Sequence, residues 1–173
     1  MTMDDLRGQL RLPVEYKKAS GIQVPPGARF LGNEDLVLQF GQEFHRAKEK
    51  IIGGLPRQCY ANCYRHATRS GGKWIYCEGY AVLEDLGFAV NHAWVVLADD
   101  PTVAHDPTWE PGEALYMGIP FQESYIRKLW KVSRKDGDFA VLDCWQRRWP
   151  LLTGKHRIED VIWRPGSVSP LSI

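Results

Sequence analysis

The stretch Pro56-Arg57-Gln58-Cys59-Tyr60-Ala61-Asn62-Cys63-Tyr64-Arg65-His66-Ala67 constrains this chain more than any other. Pro56 suits the entrance to a helix, and neither glycine nor proline recurs before Gly71. The pattern predicts a helix that opens at Cys59. A thiol in a first helical turn sits among unpaired backbone N–H groups at the positive end of the helix dipole. That setting favours the thiolate and makes the sulfur a nucleophile. Cys63, one turn later, is the alternative nucleophile should the helix start further along.

The other elements follow from breakers and periodicity. Pro13, Gly21, Pro25, Pro26 and Gly27 predict an irregular N-terminal arm over residues 1–32. Asn33 as N-cap and a stripe of Leu36, Phe40, Phe44 and Ala47 predict a helix running to about Lys50. The aromatic and β-branched run from Lys73 to Val82 predicts a strand, Phe88 to Leu97 a second and Val103 to Asp106 a third, joined by tight turns as an antiparallel meander. Phe121 to Val132 reads as a short helix, Phe139 to Trp145 as a strand, and residues 146–173 as a basic, tryptophan-rich strand or extended cover. The expectation is one α+β domain over residues 1–173, with its catalytic core at 33–145 and the nucleophile helix packed on an antiparallel sheet.

Composition narrows the class. At 173 residues, 44% hydrophobic and 25% charged, the chain has the make-up of a soluble globular protein with a sizeable core. A formal net charge of +1 supplies no whole-molecule field toward nucleic acid or an anionic membrane. Asp4, Asp5, Arg7 and Arg11 interrupt the run a signal peptide would need, and no membrane-spanning run is visible. The four cysteines, Cys59, Cys63, Cys77 and Cys144, are irregularly spaced, which argues for reduced thiols and a cytoplasmic location. Most of the seven tryptophans are expected in the core or along a cleft.

Chemistry comes from combining segments. Cys59 on a helix, His92 on one strand and Asp106 on the next give a nucleophile, a base and an orienting carboxylate in chain order. Adjacent antiparallel strands can set His92 and Asp106 side by side, so that the imidazole takes the thiol proton while the carboxylate fixes its tautomer. His105 would face the other way along an extended strand. His45, His66 and His156 have no partner pattern. Trp94 and Trp109 are candidates for the wall of a substrate cleft, although core packing is the commoner use of tryptophan.

Five blocks, Gln58-Cys59-Tyr60-Ala61-Asn62, Cys77-Glu78-Gly79-Tyr80-Ala81, His92-Ala93-Trp94, Asp106-Pro107-Thr108-Trp109 and Tyr116-Met117-Gly118-Ile119-Pro120-Phe121, occur in that order. The series resembles a pattern in small bacterial and phage proteins of the papain-like and transglutaminase-like cysteine superfamily. The resemblance covers roughly residues 56–121. It implies a helix on an antiparallel sheet, Cys59 as nucleophile, His92 as general base and Asp106 as its partner. Glu78 and Tyr80 would lie beside the site and contribute to substrate binding. The glutamine that papain-like enzymes carry some residues before the cysteine has no counterpart. Gln58 is directly adjacent, and the Cys59 backbone N–H is the oxyanion donor the sequence offers. No cofactor or metal is implied. The substrate would be a protein, a peptide or a small amide, attacked through a thioester.

Two readings from other classes compete. Cys59, Cys63 and His66 share a helix face and, with Cys77, supply zinc-type ligands, although the Cys-x-x-Cys knuckle of structural zinc sites is missing. Trp145, Arg147, Arg148 and Trp149, with Lys155, His156, Arg157 and Arg164, mix aromatic and basic residues as nucleic-acid surfaces do. Glu159 and Asp160 interrupt that tail and the chain is nearly neutral, so nucleic acid is not the expected partner.

Overall fold

The computed structural model of the protein describes residues 1–24, 26–49, 51, 54–110, 112–133 and 139–166. The N-terminal region is a helix, α1 (Met3–Ala19), where an irregular arm was expected. Thr2 and Asp5 form a capping box: the Thr2 hydroxyl accepts the Asp5 N–H at 3.2 Å, and the Asp5 carboxylate accepts the Thr2 N–H at 2.7 Å. Leu6, Leu10 and Val14 repeat every fourth residue and are buried. Their burial holds the helix together through Pro13, whose missing N–H and ring clash would otherwise cost about 3 kcal/mol or more. The Gln9 side chain pins the turn ahead of His92, donating to the Gly87 carbonyl at 3.2 Å and accepting the Ala89 N–H at 2.7 Å.

The helix expected from Asn33 to Lys50 is two elements. Helix α2 (Asn33–Phe40) stops at Gly41, where a Cβ would come within 2.5 Å of the Val37 carbonyl oxygen. Strand β1 (Gln42–Arg46) follows and buries Phe44. Phe40 and Phe44 are four residues apart, a helical spacing, but they belong to different elements, and Lys50 lies outside the described residues. Helix α3 (Cys59–Arg69) opens at Cys59. Strands β2 (Trp74–Leu83), β3 (Val90–Leu97), β4 (Val103–Ala104) and β5 (Ala114–Phe121) complete the sheet, and α4 (Glu123–Ser133) leaves it.

The sheet order is β3-β2-β5-β1-β4. Pairing is antiparallel throughout except between β1 and β4, which run parallel. The meander runs from β2 to β3 and on to His105, just after β4, which bridges antiparallel to β3, while β4 itself pairs with β1 and β5 inserts between β2 and β1. Val95 and His105 exchange both backbone hydrogen bonds, at 2.8 and 3.0 Å. The sheet consequently curls until its two edges meet. Its inner face buries Phe44, Ile75, Cys77, Trp94, Val96 and Tyr116. Gly79 and Gly118 pair across that face, and a Cβ on Gly118 would meet the Trp94 ring at 2.6 Å, so glycine makes room for the indole.

The outer face of β2, β3 and β5 presents Tyr76, Tyr80, Ala93, Val95, Met117 and Ile119 to the helices. Leu6 and Leu10 of α1, Cys63 and Ala67 of α3, and Ile126 and Leu129 of α4 close over it. Residues 139–145 are turns and not the expected strand, and the tail holds short 3-10 turns at Trp145–Arg147 and Ile158–Asp160 with a single bridge from Ile162 to Phe121. Leu151, Ile158 and Val161 anchor that cover in the outer core. Residues 167–173 of the expected cover lie outside the described residues. Trp145 and Trp149 are exposed, and the other five tryptophans are buried or partly buried. Among the described residues, no helix is long and apolar enough to cross a membrane.

Candidate functional site

Gln58 is the N-cap of α3. Its side chain makes no capping bond, while its carbonyl accepts the Asn62 N–H at 2.8 Å. The first turn carries no acidic residue, so nothing there offsets the positive end of the dipole. Arg57 precedes it at φ 60°, a left-handed conformation that turns the chain into the helix. Cys59 is half-buried, whereas Cys63, Cys77 and Cys144 are buried, and none of the four is in a disulfide. Burial pushes the Cys77 and Cys144 thiols up, which keeps them protonated.

Asn62, one turn into α3 and fully buried, joins three segments. Its amide donates to the Leu55 carbonyl at 2.8 Å and to the Thr108 hydroxyl at 2.9 Å. Its oxygen accepts from the Leu55 N–H at 3.0 Å and from the Arg65 guanidinium. Beside it, Gly54 runs so close to the turn after β4 that a Cβ would lie 1.7 Å from the Pro107 carbonyl oxygen. At the far end of the helix the Ser70 hydroxyl accepts the Trp74 N–H at 2.9 Å. Helix α3 therefore runs antiparallel to β2, and Cys59 stands at the end that meets the Asp106-to-Trp109 turn.

That turn carries the second half of the site. His92 Nε2 and Asp106 Oδ2 are 2.7 Å apart, and both residues are buried. The imidazole faces inward, as Trp94 and Val96 do along the same strand. Asp106 Oδ1 accepts the backbone N–H groups of Thr108 at 2.8 Å and Trp109 at 3.1 Å, and the Tyr116 hydroxyl donates to Oδ2 at 3.0 Å. Burial alone would raise this carboxyl. The His92 bond and charge, together with the two backbone donors, outweigh burial and hold it below the ordinary 3.8, hence ionised. The Trp109 ring stacks on the imidazole at 3.8 Å and 12°. With Nε2 committed to the carboxylate, Nδ1 is the nitrogen left for a reacting partner. Chemically, such a pair holds an imidazole in one tautomer and supports its protonated form.

The other residues expected at the site separate from it. Glu78 points to the outer face and is filled by the Tyr76 hydroxyl and the Val141 and Leu142 N–H groups. It is a core anchor and not a substrate contact. Tyr80 is buried on that same face, where burial and the nearby Glu34 push its hydroxyl up. Trp94 has no exposed surface and fills the interior of the sheet, so it forms no cleft wall. Trp109 stays in place against His92. His105 packs edge-on against Trp74, with ring centroids 4.9 Å apart.

Cys63 and Cys77 lie on opposite faces of the sheet, so the zinc quartet does not converge, and among the described residues no group of three or more His, Cys, Asp or Glu side chains is placed to hold a metal. Sequence reasoning missed Asn62, Tyr116 and Arg46, whose guanidinium donates to the Trp109 and Glu110 carbonyls. Asp-Pro-Thr-Trp was the available signal for the turn, because an aspartate caps the backbone two and three residues on. The chain matches no protein-family model, no curated protein and no solved structure.

Proposed function

We propose that the protein is a cysteine-dependent hydrolase or acyltransferase that cleaves an amide or ester bond of a protein, peptide or small amide through a thioester on Cys59. The observation that carries this reading is the buried 2.7 Å His92–Asp106 bond, tied through Thr108 and Asn62 to the first turn of the helix that bears Cys59. The five blocks that resemble the papain-like and transglutaminase-like superfamily fall on α3, β2, β3, the turn after β4, and β5. A cytoplasmic location fits four cysteines none of which is in a disulfide.

In the reaction His92 takes the Cys59 proton and becomes imidazolium beside Asp106. The thiolate attacks the carbonyl carbon, and the Cys59 N–H at the helix start is the backbone donor offered to the oxyanion. The leaving amine or alcohol takes its proton from His92. Water or a second amine, deprotonated by the same imidazole, then resolves the thioester.

Competitive alkylation with iodoacetamide across pH 5–9, followed by peptide mapping, tests the proposal. Cys59 should label first, and His92→Ala should slow it by at least about tenfold near neutral pH, while the three buried thiols label only on unfolding. Labelling of Cys59 no faster than in the unfolded chain, or indifferent to His92→Ala, refutes the reading.

A further inference from the structure

We infer that Tyr116 is a positioning residue of this site, its hydroxyl setting how strongly Asp106 holds and charges His92. The inference rests on the function proposed above and names a group within it that the sequence did not mark. Asp106 Oδ2 has two donors, His92 Nε2 at 2.7 Å and the Tyr116 hydroxyl at 3.0 Å, while Oδ1 has two backbone donors. Four donors fill a carboxylate that is almost wholly buried, so it neither rotates nor borrows a water. The phenol and the imidazole therefore compete for the same oxygen, and each bond from the phenol withdraws charge that would otherwise stabilise imidazolium.

Tyr116 is fixed independently of this bond. It is fully buried in the central strand β5, packs on Trp94 with centroids 5.0 Å apart, and lies beneath the Arg46 guanidinium at 5.9 Å. The ionisable groups acting on its hydroxyl are Asp106 from the turn after β4, Arg46 from β1 and Cys63 from α3; burial, then Asp106, pushes the hydroxyl far above its ordinary range, while Arg46 pulls it back. It therefore stays a phenol and always a donor to the carboxylate. Facing His92 are Asp106, the Trp109 ring and, tilted at 6.3 Å, the Tyr116 ring. Arg46 bonds the Trp109 carbonyl, so one guanidinium steadies both rings that flank the imidazole.

The test is Tyr116→Phe, which removes the hydroxyl and keeps the ring. Nuclear magnetic resonance of ring-labelled histidine reads the site directly. In the variant the Nε2–H proton of His92 should move downfield, because the imidazole is then the one side-chain donor left on Asp106 Oδ2. Tyr125→Phe, which removes a buried phenol hydroxyl bonded to His156 on the outer face, should leave the Nε2–H signal in place and serves as the control. A His92 Nε2–H signal identical in wild type and Tyr116→Phe, with the fold intact by circular dichroism, overturns the inference. Should Tyr116→Phe fail to fold, 3-fluorotyrosine in place of tyrosine strengthens the donor and should move the Nε2–H signal upfield; no movement overturns the inference equally. These signals do not depend on Cys59, so an alkylation rate indifferent to His92→Ala sinks the proposed function while the histidine spectra still decide the role of Tyr116.

Discussion

Replacing Glu78 by Gln should remove a fall in stability that the protein otherwise shows as pH rises from about 4.5 toward 7 and beyond. Strand β2 sets this carboxyl, 2% exposed, between the sheet and the turn at residues 139–144. One oxygen accepts the Tyr76 hydroxyl and the Val141 N–H, both at 2.6 Å, and the other the Leu142 N–H at 2.8 Å. Burial pushes the group up, the three donors pull it back, Asp143 adds to the rise, and the result is about 7 against an ordinary 4.5. Between those two values the folded chain holds a proton that the unfolded chain has lost. The contribution is thus fully present below about pH 4.5 and is lost as pH rises through about 7. At about 1.4 kcal/mol per pH unit, the loss comes to about 3 kcal/mol.

Three histidines act in the opposite sense over the same range. Burial lowers His66, His105 and His156, so each adds stability as pH rises toward the ordinary 6.5. The measurement is therefore a difference: urea unfolding of wild type and Glu78→Gln, followed by tryptophan fluorescence at pH 4.5 to 8.5. The histidines cancel, and the lost or altered hydrogen bonds of the amide appear as a constant offset. Wild type minus variant should fall by about 3 kcal/mol across the series. Parallel curves would refute the argument, because they would mean that Glu78 is already ionised in the folded chain at acid pH.

Asn62→Ala strips the Leu55 N–H and carbonyl and the Thr108 hydroxyl of their partner; it should cost about 2–3 kcal/mol in urea unfolding and slow Cys59 alkylation. Gly54→Ala should slow the same alkylation while leaving the His92 Nε2–H resonance in place, since the added methyl displaces the loop from Pro107 and not the pair inside the sheet. Gly8→Ala, in α1 with open space where its Cβ would go, should raise stability by about 0.5–1 kcal/mol in thermal unfolding.

The helix at Cys59 and strands β2 and β3 were legible because a breaker or cap and an unbroken run agreed on each. Where two signals conflicted, the wrong one was easy to follow. Pro13 and the glycines beyond it spoke for a loop, yet Thr2 with Asp5 and the Leu6-Leu10-Val14 stripe carried the helix. Leu36, Phe40 and Phe44 satisfy a helical period, but Gly41 must pass close to Val37 and Gly118, and Phe44 is needed inside the sheet. Strand β5 contains Gly118 and Pro120, residues that argue against a central strand. Pro120 is tolerated opposite Cys77, and Gly118 is required by the bulk of Trp94. Of the site, residue types and order marked His92 and Asp106. Tyr116, Arg46 and Asn62 were out of reach because their roles arise only when β1 and β5 are folded together and α3 meets the turn after β4.

The two halves of the site are built under different constraints, and that division bears on how it would work. His92 and Asp106 lie at the inner side of a sheet whose edges have met, where a carboxylate can be kept dry and filled by four donors. A low-dielectric setting strengthens each of those bonds, and it would be a poor place for a reactive sulfur that must meet a substrate. Cys59 sits on the outer helix layer, half-buried, at a helix start that stabilises negative charge without enclosing it. Where the helix meets the turn after β4, Asn62 bonds Thr108 and Gly54 passes against Pro107, while Cys63 and Ala67 pack α3 on the outer face of the sheet. The pair inside the sheet is over-determined by the four donors on Asp106. Changes that tune Cys59 without unfolding the protein should accordingly concentrate at residues 54–58 and 107–109, whereas changes at Tyr116 or Asp106 should register first in the imidazole.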